Sequence, residues 1–229
     1  MATRARANTD AVHAQLRAEV LGGVFEPGER LKFAPLAERY GASVSVLREA
    51  LTRLVEQGLV TAETNIGFRV MPVSIEDLRD LTATRIDVES LALRYSIERG
   101  GVEWESDLVA CHHRLERTPM LTSDAPVRIS DDWEAAHAAY HSALIAGCES
   151  PRLLTIACGL RDAAGLYRRW SQPREPDRDV AGEHRRILDA TLARDADAAT
   201  EALRAHFQHT ADILETALGG VEHLGVPAR

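Results

Sequence analysis

The order of short structural elements within the first 73 residues constrains the fold more than any other feature of this sequence. Apolar residues at helical spacing predict a first helix over about 9–21. A glycine ends a short second helix, Leu36–Tyr40, after little more than one turn. Ser43 or Ser45 then caps a third helix, which continues to about Gln57 with one apolar face. Two helices joined by so tight a turn are typical of a helix-turn-helix.

Two β-prone runs follow the third helix. Leu59–Ala62 and Phe68–Met71 are separated by a loop that contains a glycine, so they predict a β-hairpin. Helices in this order followed by a hairpin predict a winged helix-turn-helix. We therefore assign residues 1–73 to a winged helix-turn-helix DNA-binding domain.

The remainder of the chain, residues 74–229, carries no comparable strand signal. Ser74 is a suitable N-cap for a long helix, and five further helices are separated by glycine, proline or short polar breaks. The predicted helices cover about 75–98, 103–117, 131–147, 151–171, 179–193 and 195–218. The fold class is therefore mainly α, with an all-α antiparallel helical bundle as the second domain.

The charge distribution is compatible with DNA binding by the first domain. The formal net charge is −8, but residues 1–73 hold 9 basic and 8 acidic side chains, so the excess acidity lies in the second domain. The first domain can therefore approach phosphate, although its charge alone is a weak indication.

Several classes of protein are excluded by other features. No apolar run is long enough to span a bilayer, and no signal peptide is recognisable, so we expect a cytoplasmic protein without a membrane partner. Three widely spaced cysteines without a CxxC motif argue against a disulfide framework or a cysteine-based zinc site.

The third helix carries the candidate DNA-reading residues. In a helix-turn-helix, the second helix enters the major groove with its N-terminal end. That end presents Ser43, Ser45 and Arg48, two hydroxyls and a cation that suit phosphate and base contacts. The hairpin loop, with Asn65 and Ile66 at its tip, would form the wing, and Gly67 would allow close backbone approach to the DNA.

Four of the nine histidines have a suggestive spacing. His137 and His141 are four residues apart and share one face of a helix, whereas His184 and His206 lie on two later helices. If those helices pack antiparallel, the four imidazoles can converge on a divalent metal ion in the bundle core. Spacing alone leaves the alternative that they are surface or core histidines.

Residues 22–70 resemble the DNA-binding domain of the GntR family of transcriptional regulators. The resemblance rests on PGERL at 27–31, LAERYG at 36–41, LREAL at 47–51 and GFRV at 67–70. It implies DNA contacts by Ser43, Ser45 and Arg48, and it places Gly67 at the wing glycine. The family commonly has arginine where this sequence has Val44, a side chain suited instead to a thymine methyl group.

The second domain resembles the FCD ligand-binding domain of the FadR-type GntR regulators. The resemblance rests on AAYH at 138–141, ESPRL at 149–153 and EHRRILDA at 183–190, followed by His206. It implies that His141, His184 and His206 are metal ligands, with His137 in place of the family's aspartate. A site of four imidazoles favours zinc over harder ions, and nickel or copper are the alternatives to zinc.

The same resemblance implies a pocket for a small effector. Arg85 lies four residues before Glu89, and the resemblance directs it toward the pocket, where a guanidinium can clamp a carboxylate. Arg161 and Arg168 are further candidates. The expected protein is a homodimeric regulator, a repressor, that binds double-stranded operator DNA under the control of an organic acid bound near the metal.

Two other functions stay open at this point. A histidine-rich metal site could activate water in a metal-dependent hydrolase, but the sequence offers no nucleophile motif, P-loop or dinucleotide fingerprint, so we expect no enzyme and no catalytic residues. Alternatively, the histidines are structural and the protein is a metal-free regulator that binds an apolar ligand.

Overall fold

A computed structural model describes residues 9–21, 24–63, 67–72, 74–123, 129–170 and 178–219. The chain divides into two compact units, residues 1–73 and 74–229. Within the described residues the protein is mostly helical, with one small antiparallel sheet in the first unit. No helix in the described ranges is both long and apolar enough to cross a membrane.

The first unit is a three-helix domain with a three-stranded sheet. The first helix packs against the third, and Leu16 of the first and Leu47, Leu51 and Leu54 of the third are fully buried. The elements are α1 (Thr9–Leu21), β1 (Arg30–Leu31), α2 (Phe33–Tyr40), α3 (Val44–Glu56), β2 (Val60–Glu63) and β3 (Gly67–Val70). The predicted winged helix-turn-helix is confirmed, and α3 is the second helix of its helix-turn-helix.

Local chemistry fixes the ends of the two helices in the motif. Gly41 ends α2 in the left-handed region, with φ of 59°, where a residue without Cβ is favoured. Ser43 caps α3, since its Oγ accepts a hydrogen bond from the Val46 amide at 3.4 Å. The chain therefore turns sharply between α2 and α3.

The sheet has the strand order β1-β3-β2, with both pairs antiparallel. In the hairpin, Ala62 lies opposite Phe68 and Glu63 opposite Gly67. Gly67 opens β3 with φ of 106°, a conformation that disfavours any side chain. Asn65 and Ile66, the predicted wing tip, lie outside the described residues.

The second unit is all-helical. Its helices are α4 (Ile75–Arg99), α5 (Val102–Arg117), α6 (Asp131–Ala146), α7 (Pro151–Trp170), α8 (Val180–Leu192) and α9 (Ala196–Gly219). The long helix α4 packs against α9, α7 and α6, and α8 packs against α9 and α5. Serine hydroxyls cap α4 and α6, at Ser74 and Ser130.

The core of the second unit is apolar around a polar centre. Leu93, Leu108, Ile145 and Ile187 are fully buried in one cluster. Histidine, arginine and glutamate side chains are nevertheless buried on the helices that enclose it. Burying polar groups is costly unless they have partners. The polar side chains at this centre are therefore candidates for a functional site.

Candidate functional site

The four predicted histidines meet inside the second unit. Helix α6 supplies His137 and His141, α8 supplies His184 and α9 supplies His206. One ligand nitrogen of each residue lies within 4.8 Å of the corresponding nitrogen of every other. All four side chains are buried. The packing of α8 and α9 against each other thus brings together residues that are far apart in the sequence.

These imidazoles are held in the neutral form. Burial lowers the pKa values of His137, His141 and His184 well below the ordinary value, and the neighbouring histidines and arginines lower them further. Burial also lowers the pKa of His206, although Glu183 opposes the shift. A neutral imidazole keeps a lone pair on one nitrogen, as a metal ligand requires.

Several nitrogens of the cluster have no hydrogen-bond partner among the residues that the structure describes. They are Nδ1 of His137, both ring nitrogens of His141 and Nε2 of His184. Buried polar atoms without partners are uncommon in protein cores, and a group of them that converges is typical of a ligand-binding site. A cluster of buried, neutral and unpartnered imidazoles therefore fits a divalent cation such as zinc or nickel.

Glu183 orients His206 within the cluster. Its Oε2 lies 2.6 Å from Nδ1 of His206, and Arg178 donates two hydrogen bonds to the same carboxylate, at 2.9 and 2.6 Å. Burial alone would raise the pKa of Glu183, but hydrogen bonds from His206 and Arg178 hold that pKa well below its usual value. The ionised carboxylate accepts a hydrogen bond from the Nδ1–H group of His206, and this tautomer leaves the Nε2 lone pair of the ring free.

Sequence alone assigns no role to Glu183. The available signal was its position directly before a candidate ligand, His184, which says nothing about a partner 23 residues further along the chain.

Two of the three candidate arginines near the histidines already have carboxylate partners. Arg85 is buried, donates to Glu89 at 2.9 Å and has its guanidinium carbon 3.9 Å from the Phe207 ring centroid. Arg168 makes a double hydrogen bond to Glu134, each at 2.8 Å. Their positive charges are therefore largely compensated within the protein.

Arg161 differs from the other two arginines. It is 6% exposed, and its Nη1 donates to the Ala138 carbonyl at 3.3 Å and to the Ser142 hydroxyl. Its Nε has no partner, and within the described ranges no carboxylate pairs with it. Arg161 and Arg85 both act electrostatically on His141, so they lie near the histidine cluster. A buried, unpaired guanidinium there favours an anionic ligand.

The candidate DNA-reading residues lie together at the N-terminal end of α3. Ser43, Ser45 and Arg48 are exposed, and the two serine hydroxyls are 2.9 Å apart. The Arg48 guanidinium carbon lies 5.0 Å from the Phe33 ring centroid, and no ion pair holds it within the described part of the unit. These groups are thus available to an external partner. Gly67 lies on another element, at the start of β3.

Comparison with known proteins gives two family matches. The model described as "Bacterial regulatory proteins, gntR family" matches residues 8–70, and the FCD domain matches residues 80–209. The HTH-type transcriptional regulator BphR of Paraburkholderia xenovorans is 38% identical over 91% of this chain and 86% of its own. The HTH-type transcriptional repressor GlaR of Escherichia coli is 35% identical over 90% of this chain and 94% of its own.

A solved structure shares the fold. Escherichia coli McbR/YncC superimposes with a TM-score of 0.73 at 22% identity, over 92% of this chain and 98% of its own.

Proposed function

The chain belongs to the GntR family of bacterial transcriptional regulators, with a C-terminal FCD domain, and we propose that it is a dimeric repressor controlled by an organic acid. The family and the relatives are those of a transcriptional regulator and not of an enzyme, so the hydrolase alternative is abandoned. Repression is supported by the repressor GlaR, which matches along most of its length.

On the DNA side, α3 docks in the major groove of a double-stranded operator. Ser43 and Ser45 supply hydroxyls for phosphates or base edges, and Arg48 supplies the cation. Gly67 gives the wing a close approach to the backbone or the minor groove. A dimer fits two successive major grooves about 34 Å apart, which explains why a regulator of this kind binds as a pair.

On the sensor side, His137, His141, His184 and His206 hold a divalent ion, with zinc preferred and nickel as the alternative. The orphaned nitrogens of the cluster support this assignment. When bound, such an ion supplies a Lewis-acidic position for a carboxylate oxygen. Glu183 keeps the His206 ring in the orientation that presents Nε2.

The observation that carries the proposal is the buried Arg161 guanidinium near the neutral histidines, with which no carboxylate pairs in the described ranges. It binds a carboxylate of the effector, and Arg85 lies close enough to the cluster to act on the same ligand electrostatically. An apolar ligand would leave Arg161 buried without a counter-ion, which is why the metal-free, apolar alternative is disfavoured. Acid binding then changes the spacing of the two DNA-binding domains of the dimer and weakens operator binding.

A thermal-shift experiment tests this proposal. Tag-free, zinc-supplemented protein is heated with short mono- and dicarboxylic acids and with the matching amides. We expect at least one acid to raise the Tm, its amide to have no effect, and Arg161→Gln to abolish the rise. Arg94→Gln, on the exposed surface of α4, is the control for loss of one cation and should respond as the native protein does.

Two results would overturn the sensor proposal. Equal Tm shifts with acids and with amides would show that Arg161 does not recognise the carboxylate of the effector. Tag-free protein that contains no divalent ion by elemental analysis, and whose Tm does not respond to zinc or nickel, would remove the metal.

A further inference from the structure

Val44 is an exposed apolar side chain at the working end of the recognition helix. It is the first residue of α3, directly after the capping Ser43, and it is 48% exposed. The buried face of α3 is formed by other residues, namely Leu47, Ala50, Leu51 and Leu54. Val44 is therefore not needed for the core of the first unit.

The groups around Val44 define what the surface can bind. Arg48 lies four residues later and therefore on the same side of the helix, one turn away. The hydroxyls of Ser43 and Ser45 flank the valine, and the first turn of α3 holds no acidic residue. The surface thus combines a cation, two hydroxyls and a pair of methyl groups.

This combination matches one feature of the major groove. Thymine presents a C5-methyl group there beside its O4 acceptor, whereas the major-groove edges of guanine, cytosine and adenine carry hydrogen-bonding groups and no methyl group. Valine has neither a donor nor an acceptor, so it would leave those polar groups without a partner. A methyl group opposite Val44 would instead be buried against its two methyls.

We propose that Val44 selects thymine at one position of each operator half-site by contact with the C5-methyl group. The inference rests on the proposed docking of α3 in the major groove, and it assigns base selection at that position to the valine. Arg48 and the serines then hold the helix in register on the phosphates and neighbouring bases.

Deoxyuridine substitution tests the contact at the level of a single methyl group. The preferred operator is first selected from a random duplex library with the native full-length protein. Each thymine is then replaced by deoxyuridine, one at a time, and Kd is measured by fluorescence anisotropy. At one position per half-site we expect about fourfold weaker binding, the factor that corresponds to one buried methyl group.

Variants of Val44 separate the methyl contact from other effects of replacing thymine by deoxyuridine. Val44→Ala should bind the thymine and deoxyuridine duplexes within about 1.5-fold of each other at that position, because little methyl contact is left to lose. Val44→Thr, which keeps one methyl group, should fall between. Because Val44 is exposed, the Tm of each variant should equal that of the native protein. A duplex with 5-methylcytosine at that position should bind better than one with cytosine.

The failures of the two proposals are distinguishable. If no deoxyuridine duplex discriminates native protein from Val44→Ala, or if the selected half-site contains no thymine, the Val44 inference is wrong while operator binding stands. If Arg48→Ala binds every duplex as tightly as the native protein, the docking of α3 itself is wrong. If the library yields no preferred duplex, both proposals fail.

Discussion

At the scale of single residues, the proposed metal site depends on one carboxylate that several side chains share as a hydrogen-bond partner. Glu183 accepts hydrogen bonds from His206 and from Arg178, and His209 Nδ1 lies 3.0 Å from its Oε1. Partners of this kind fix both the tautomer and the ring orientation of a ligating histidine. Glu183 is therefore a positioning residue, since it acts on the proposed ion through His206.

Glu183→Gln should weaken zinc binding by 10- to 100-fold, the range typical of such outer partners. The neutral amide no longer enforces the tautomer that leaves the Nε2 lone pair of His206 free. The measurement is competition for zinc against a chromogenic chelator at pH 7.5. Glu201→Gln, on the exposed face of α9, should bind zinc as the native protein does. Equal zinc affinity for Glu183→Gln and the native protein would contradict the positioning role.

Sequence alone predicts the placement of some residues of the site better than that of others. The spacing of His137 and His141 places them on one helix face, and that inference needs only helical geometry. The proximity of His184 and His206 depends on how α8 packs against α9, which periodicity does not encode. Arg161 is the clearest example, because only the packed core shows that no carboxylate of the described segments pairs with it.

At the scale of elements, one hydrogen bond links the two helices that carry most of the cluster. Tyr140 of α6 is fully buried, and its hydroxyl donates to the His184 carbonyl of α8 at 2.9 Å. Burial raises the pKa of Tyr140, so the hydroxyl keeps its proton at any physiological pH. The bond therefore holds α6 and α8 in register at the level of the histidines.

Tyr140→Phe should lower the free energy of unfolding by about 1 kcal/mol, since a buried hydrogen bond is lost and little volume changes. Urea denaturation of the metal-free protein at pH 7.5 measures this. Tyr95→Phe is the matched control: the Tyr95 ring contacts Arg99, and within the described residues its hydroxyl makes no hydrogen bond. If the two variants lose equal stability, the link between α6 and α8 does not contribute.

Element boundaries follow from the sequence where a cap marks them. Ser74 and Ser130 precede α4 and α6, and the predicted helices begin at the observed residues. Strand β1 was not predicted, because two residues carry no periodicity and pair only through β3. Helix α2 begins at Phe33, earlier than predicted, because proline is tolerated in a first turn.

At the scale of the whole molecule, the buried histidines make stability depend on pH. Their pKa values are depressed in the folded state, chiefly by burial, while in the unfolded chain they titrate near 6.5. Below pH 6.5 the unfolded state therefore binds more protons than the folded state. Stability is complete above that pH and is lost as the pH falls toward the folded-state values.

Metal-free protein should accordingly lose stability between pH 7.5 and pH 5.5, by about 1 kcal/mol per buried histidine for each pH unit below 6.5. Urea denaturation across this range gives the slope. His141→Gln should flatten it, whereas His113→Gln, at an exposed position, should leave it unchanged. A slope that is the same in both variants would show that the cluster does not stay neutral on folding.

The measurement that tests the central claim most directly is operator affinity with and without the acid identified by thermal shift. Zinc-supplemented native protein is titrated onto the selected duplex and followed by fluorescence anisotropy. We expect saturating acid to raise Kd by about 5- to 150-fold, a usual range for coupling between two sites, and Arg161→Gln to abolish the change. An acid that binds and raises the Tm but leaves operator affinity unchanged would contradict the account.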